Sequence, residues 1–210
     1  MGDTSTHARS LREALLEPVY LQAHDPRWLD EFELERRRIE SRLPGRFAAI
    51  RHIGSTAVAD LLAKPVIDMI LGLTDFRDIE TALSELQVIG FSYDPRASAQ
   101  SADRRWLLRH RAGHRTHHLH VVELGSPAWS QRIDFCDRLR CDPDLRAQYQ
   151  ALKIRVLAQA RGNRESYTAA KEPFIRNALA AGPAAGPQSP GHERPIDAST
   201  GARRDSQDWP

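Results

Sequence analysis

Residues 66–73 read VIDMILGL, a nearly continuous apolar run bounded by Pro65 and Thr74. An unbroken run of this length is expected of a central strand buried on both faces, so the rest of the chain must supply elements to cover each face. The flanking sequence carries the matching signals. Asp25 is placed to cap a helix with Pro26 at its first position, and Leu29, Phe32, Ile39 and Leu43 follow at roughly helical spacing until Pro44 stops it. Residues 47–53 read as a strand. Asp75 caps a second helix with Phe76, Ile79, Leu83 and Leu86 on one face and Gly90 at its end. Strands are expected at 91–93, 105–109 and 116–123, the last two joined as a hairpin through Gly113. Ser126 before Pro127 and Asp142 before Pro143 mark two more helices, the second striped with Leu145, Tyr149, Leu152 and Val156. Asn163 caps a last helix, which Pro173 breaks or kinks. This order predicts an α/β (α+β) domain, a mixed β-sheet flanked by helices.

Residues 19–180 should hold that domain. Residues 1–18 read as a flexible segment with at most a short helical turn at 11–16. Residues 181–210 carry five prolines and four glycines, lack apolar periodicity, and read as a disordered tail. A total of 30 Lys and Arg against 28 Asp and Glu leaves a net charge of +2, too small to argue for non-specific binding to nucleic acid. The distribution is uneven. Five of the nine histidines fall between His110 and His120, together with Arg104, Arg105, Arg109, Arg111 and Arg115, which predicts a locally positive surface suited to an anion. The only cysteines, Cys136 and Cys141, suggest neither a disulfide framework nor a zinc site. With no run of apolar residues long enough for a signal peptide or a membrane span, the expected compartment is the cytosol and no membrane partner is expected.

Chemistry concentrates in HIGSTAVADLLAKPVIDM. A strand ends at Gly54, and Ser55 and Thr56 open a helical turn, so backbone N–H groups and a hydroxyl are offered to an anion with no Cβ at Gly54 to block its approach. Asp68 lies inside the apolar strand, where a carboxylate needs a partner: a metal ion, or a cation such as Lys64 or Arg51. His118 and His120 share one face of THHLHVVE, and Glu123 the other. Further cationic candidates are Arg105, Arg109, Lys153 and Lys171, with Lys64 and Lys171 foremost; Tyr149, Tyr167, Trp106 and Trp129 read as packing aromatics, and Cys136 as core. No G-x-x-x-x-G-K-[ST] loop, G-x-G-x-x-G turn or G-x-S-x-G elbow occurs.

Gly-Ser, twelve residues, then Asp in an apolar strand resembles the signature of the nucleotidyltransferase superfamily. HIGSTAV, AKPVIDM, THHLHVVE with SPAW, and YTAAKEPFI are similar in order and spacing to the GrpB (UPF0157) family, over roughly residues 19–179. Such domains also occur appended to dephospho-coenzyme A kinases. The resemblance implies a nucleotidyltransferase-like fold and a pocket for a small anionic molecule or nucleotide, formed by Gly54, Ser55, Thr56, Arg51, Lys64 and Lys171. It also implies a divalent cation, Mg²⁺ or Mn²⁺ ahead of Zn²⁺, on Asp68 and His120, with Asp68, His118 and His120 as the catalytic candidates. The superfamily's second carboxylate, two residues after the first, is Ile70 here, so the pair needed for a two-metal site is incomplete. The two histidines either replace a carboxylate or hydrogen-bond along the pocket wall. Ala59 and Asp60 stand where the family more often has Pro-Gly. Three readings follow: nucleotidyl transfer with an incomplete carboxylate set, a catalytically degenerate ligand-binding or regulatory module, and an RNA-binding or antitoxin-like protein using the segment 104–120.

Overall fold

The computed structural model describes residues 3–93 and 103–181. Five strands, β1 (Phe47–Ile53), β2 (Ile67–Leu73), β3 (Phe91–Tyr93), β4 (Arg104–Arg111) and β5 (His114–Glu123), form one sheet in the order β1-β2-β5-β4-β3. β2 and β5 pair in parallel and all other neighbours are antiparallel, which makes the sheet mixed, as expected. Every residue of β2 is buried except Asp68. β4 and β5 meet in a two-residue hairpin whose Ala112 and Gly113 both have positive φ, 49° and 81°, the handedness that matches strand twist.

Period-2 alternation sends Met69 and Leu71 to one face of the sheet and Asp68, Ile70 and Gly72 to the other. The first face is covered by α2 (Arg27–Arg42) and α3 (Ile79–Val88), through Phe32, Ile39, Leu83 and Leu86. The second is covered by α4 (Pro127–Cys141), where Ala128, Trp129 and Ile133 pack on Ile53, Ile70 and Val122. A Cβ on Gly72 would lie 2.9 Å from the Trp129 ring, so glycine is what lets α4 sit this close. The far side of α4 carries α5 (Pro143–Ala160), α6 (Arg164–Ala169) and α7 (Glu172–Ala180) in a further apolar layer around Leu139, Tyr149, Val156 and Tyr167. The side chains of Asp75, Ser126, Asp142 and Asn163 accept from backbone N–H groups as the capping signals require, each contributing about 1 kcal/mol.

Four local expectations are corrected. Residues 3–16 are not a flexible segment with one turn but a helix, α1 (Asp3–Leu16). It is fastened to the hairpin by polar contacts: Ser10 hydrogen-bonds His110 at 2.8 Å and accepts the Gly113 N–H at 2.9 Å, and Arg115 donates to the Ala14 carbonyl at 2.9 Å. Leu29 is 59 % exposed; the buried stripe of α2 runs through Trp28, Phe32, Glu35 and Ile39, with Glu35 paired to Arg38 and Arg109. Asp75 opens a 3₁₀ turn, Phe76–Asp78, before α3 begins. Pro173 lies in the first turn of α7, so it starts a helix instead of kinking one. The expected tail falls outside the described residues.

Candidate functional site

At the end of β1 the chain turns sharply at Gly54, with φ 72° and ψ −170°, a region open essentially to glycine alone. Ile53 pairs with Asp68 across β1 and β2, so the turn lies directly beside that carboxylate. A Cβ at Gly54 would stand 2.7 Å from Asp68 Oδ2. Gly54→Ala should therefore cost about 1–3 kcal/mol from backbone strain, with displacement of Asp68 in addition, measurable by urea denaturation. Six residues on, Asp60 has φ 62°, a left-handed position at the place where the family resemblance has glycine; Asp is among the few other residues that tolerate it.

The single 3₁₀ turn Ser55–Ala57 follows. Ser55 Oγ accepts from Lys153 Nζ at 3.2 Å, and the same ammonium donates to the Leu62 carbonyl. Thr56 is committed to the fold: its hydroxyl bonds His52 Nε2 at 3.0 Å and the Val66 carbonyl at 3.4 Å. Gly54, Ser55, Thr56, Lys64, Asp68, Lys153 and Lys171 surround a cavity of about 80 Å³, with Leu21, Tyr149 and Tyr167 completing its wall. Lys153 Nζ lies 5.0 Å from the Tyr149 ring centre and Lys171 Nζ 4.2 Å from that of Tyr167. Each tyrosine thus packs, as expected, and also backs a cation with its ring face.

One carboxylate faces several cations here. Burial alone would raise the Asp68 pKa, but Lys64, the His118 hydrogen bond and the nearby histidines outweigh it and hold the carboxyl well below its usual range. Burial lowers the Lys153 ammonium to about 7, helped by the charge of Lys171. Burial likewise brings Lys171 to about 7, helped by Lys64 and Arg164 and opposed by Asp68. Lys64 is lowered by burial and raised by Asp68.

β2 and β5 place Asp68 opposite His118 and Ile70 opposite His120. His118 Nδ1 is 2.9 Å from Asp68 Oδ1. Burial, then the charge of Lys64, lowers the imidazole to about 4 despite Asp68, so at neutral pH it is uncharged and donates from Nδ1. The 3.4 Å approach of Lys64 Nζ to that same nitrogen is then a charge contact and not a hydrogen bond. Among the described residues, Nε2 of His118 is buried without a hydrogen-bond partner.

The expected residues are only partly brought together. His118, not His120, is the partner of Asp68; His120 lies one pleat further along, over Ile70 and towards Arg104 and Arg132. Ile70 is fully buried between Ile53, Val122 and Ala128, so a second carboxylate at that position would sit in apolar core. Among the described residues no three His, Cys, Asp or Glu side chains are grouped to hold a metal ion. Asp68 is one carboxylate, and the neighbouring imidazole has spent Nδ1 on it, so Mg²⁺ or Mn²⁺ held here would take the rest of its oxygen shell from water and a ligand's phosphate. Arg51 is exposed on the edge strand β1 and does not line the cavity. The segment 104–120 forms no single positive surface either, because strand alternation splits it: Arg109 pairs with Glu35 on the α2 face, while Arg115 binds carbonyls of α1.

Arg164, whose charge acts on Asp68 and Lys171 from α6, carries no signal in the sequence. Lys153 carries one: it falls four residues after Tyr149 and three before Val156, a charge inside an apolar stripe.

The profile of the GrpB protein family matches residues 18–181. The UPF0157 protein of Deinococcus radiodurans is 34 % identical over 164 residues, covering 78 % of this chain and 82 % of that one. YqkA, a UPF0157 protein of Bacillus subtilis, is 30 % identical over 160 residues, and there the match spans 46 % of the relative's length. A dephospho-CoA kinase of Mycolicibacterium paratuberculosis is 28 % identical over 194 residues, 48 % of its length. The crystal structure of GrpB from Enterococcus faecalis superposes with a TM-score of 0.69 at 25 % identity, covering 77 % of this chain and 96 % of that one. With a five-stranded mixed sheet, a Gly-Ser turn against Asp68 and a family match that runs from residue 18 to 181, across every element but α1, the chain belongs to the GrpB family.

Proposed function

We propose that this chain binds a small phosphate-bearing molecule, nucleotides included, with the phosphate seated between the Gly54–Ser55 turn and the lysines of α5 and the α6–α7 junction. The observation that carries this reading is the gathering of Lys64, Lys153 and Lys171 around a cavity with one carboxylate, with Arg164 close enough to act on it. Cations held this close repel one another and are partly desolvated. An anion relieves both penalties, and charge-assisted hydrogen bonds from ammonium groups and the Ser55 hydroxyl supply direct recognition. Lys153, already bonded to Ser55, positions that hydroxyl.

A binding or regulatory role stands ahead of nucleotidyl transfer. Two-metal transfer needs paired carboxylates on one face of the strand, and the buried packing of Ile70 supports a pocket adapted to hold a ligand without them. A second reading, transfer assisted by a base, draws on the neutral His118 with Nδ1 held by Asp68 and Nε2 without a partner among the described residues. The absence of disulfides, with Cys136 and Cys141 free, supports a reducing compartment, the cytosol; no helix among the described residues is long and apolar enough to cross a membrane.

Titration calorimetry with pyrophosphate tests the binding reading. Wild type should bind without added metal, and Lys171→Ala should weaken binding about tenfold or more, as loss of one charge-assisted contact worth about 1.5–3 kcal/mol implies. Ser55→Ala should weaken it several-fold. Failure of wild-type protein to bind pyrophosphate or any nucleotide would remove the proposal.

A further inference from the structure

The phosphate pocket is too small for a whole ligand. At about 80 Å³ it holds a phosphate group, whereas sites for complete small molecules run from about 300 Å³ upward. A second cavity, of about 290 Å³, adjoins it. Lys64 lines both. The helix α6 walls both as well, presenting Arg164 to the larger cavity and Tyr167 to the smaller, three residues apart and therefore on one helix face.

The larger cavity lies between the linker that joins α1 to α2, the first turns of α2, and the start of β5. Its charged groups are unequal. Asp25 is held by the Arg27 guanidinium at 2.6 Å, and Glu17 is engaged by His114 at 2.9 Å and by the Arg115 N–H at 3.2 Å. Arg115 spends its own guanidinium on carbonyls of α1. The Glu31 carboxylate makes no hydrogen bond or ion pair among the described residues. An exposed, uncommitted carboxylate thus lines the same cavity as the basic groups Lys64 and Arg164, the latter already donating to the Glu17 carbonyl.

We propose that this cavity receives the organic part of a phosphate ester whose phosphate occupies the Lys153–Lys171 pocket, and that this part presents an N–H or O–H donor, as an amino-bearing nucleobase does, to Glu31. The assignment rests on the phosphate-binding reading above and adds to it where the remainder of the ligand lies and what it must carry. Lys64, common to both spaces, sits at the junction of phosphate and organic part. Glu31 then serves selection, since a ligand without a donor leaves the carboxylate unpaired against the bound molecule.

Two variants test it by calorimetry against pyrophosphate and the four ribonucleoside triphosphates, each without metal. Gln22→Trp places a bulky ring in the larger cavity, and Glu31→Gln removes the acceptor charge from an exposed position where misfolding is not expected. In wild type at least one amino-bearing triphosphate should bind more tightly than pyrophosphate. Gln22→Trp should weaken that nucleotide about tenfold or more and Glu31→Gln about three- to tenfold, while both leave pyrophosphate within about twofold. The assignment is overturned if no nucleotide exceeds pyrophosphate, or if both variants leave nucleotide binding unchanged, or if they weaken pyrophosphate equally. Loss of pyrophosphate binding in wild type would instead bring down the phosphate reading itself, and this proposal with it.

Discussion

Asp68→Asn should lower the stability of the fold and tighten its hold on phosphate at the same time. The stability loss follows from what Asp68 compensates. Its side chain is 19 % exposed and, among the described residues, is the only carboxylate lining the small cavity, beside three lysines. Removing one member of a buried charge pair typically costs ~3–5 kcal/mol; because Asn still offers His118 an acceptor, the lower end, about 3 kcal/mol, is expected. The gain in affinity has the opposite cause. A carboxylate roughly 6 Å from a bound phosphate repels it by about 2–3 kcal/mol per unit charge at an effective dielectric near ~20, so its removal should tighten metal-free binding about tenfold or more. Thermal denaturation with and without pyrophosphate reads both: a lower melting temperature in buffer, and a larger upward shift on adding ligand. A site that worked through a metal held by Asp68 would respond in reverse, with ligand stabilisation lost in the variant.

What could be read from the sequence divides along physical lines. The sheet's central strand, the hairpin, the capped helix starts at Ser126, Asp142 and Asn163 and both faces of β2 follow from periodicity and local turn chemistry, and the structure has them within a residue or two. Helix α1 was out of reach because it is held by Ser10 and Ala14, and by Glu17 just past its end, bonding to the hairpin about 100 residues away, contacts that leave no apolar stripe. The same limit applies to the site. Gly54, Ser55 and Asp68 are close in sequence and stood out, and so did Lys64 and Lys171. The pairing of Asp68 with His118 depends on β2 and β5 being parallel neighbours, and parallel register is set by tertiary packing and not by any local turn. Ile70 looked like a lost ligand. In the fold it is core, which changes its meaning: Ile70→Asp would bury a carboxylate against α4 without restoring a metal pair.

Stability should rise, and phosphate affinity should fall, as pH climbs above 7. Both trends come from Lys153 and Lys171, whose ammonium groups burial brings from 10.5 to about 7. Lys153 faces Lys171 and the Ser55 hydroxyl; Lys171 faces Lys64, Arg164 and Asp68. Between about pH 7 and 10.5 the unfolded chain holds protons on these lysines that the folded chain has released, so unfolding takes up protons and stability increases with pH. The limiting slope is about 1.4 kcal/mol per pH unit for each lysine, and below pH 7 their contribution levels off because both states are charged. Binding runs the other way. A phosphate dianion favours the ammonium forms, so at pH 8 complex formation should take up between one and two protons, and affinity should fall about tenfold per lysine per pH unit above neutrality. Calorimetry at pH 8 in buffers of different ionisation enthalpy counts the protons directly. Lys153→Met should remove about half of that uptake and flatten the pH slope of stability. An affinity constant from pH 7 to 9, with no proton uptake, would mean that the lysines stay charged in the free protein and that the cavity is wetter than its geometry indicates.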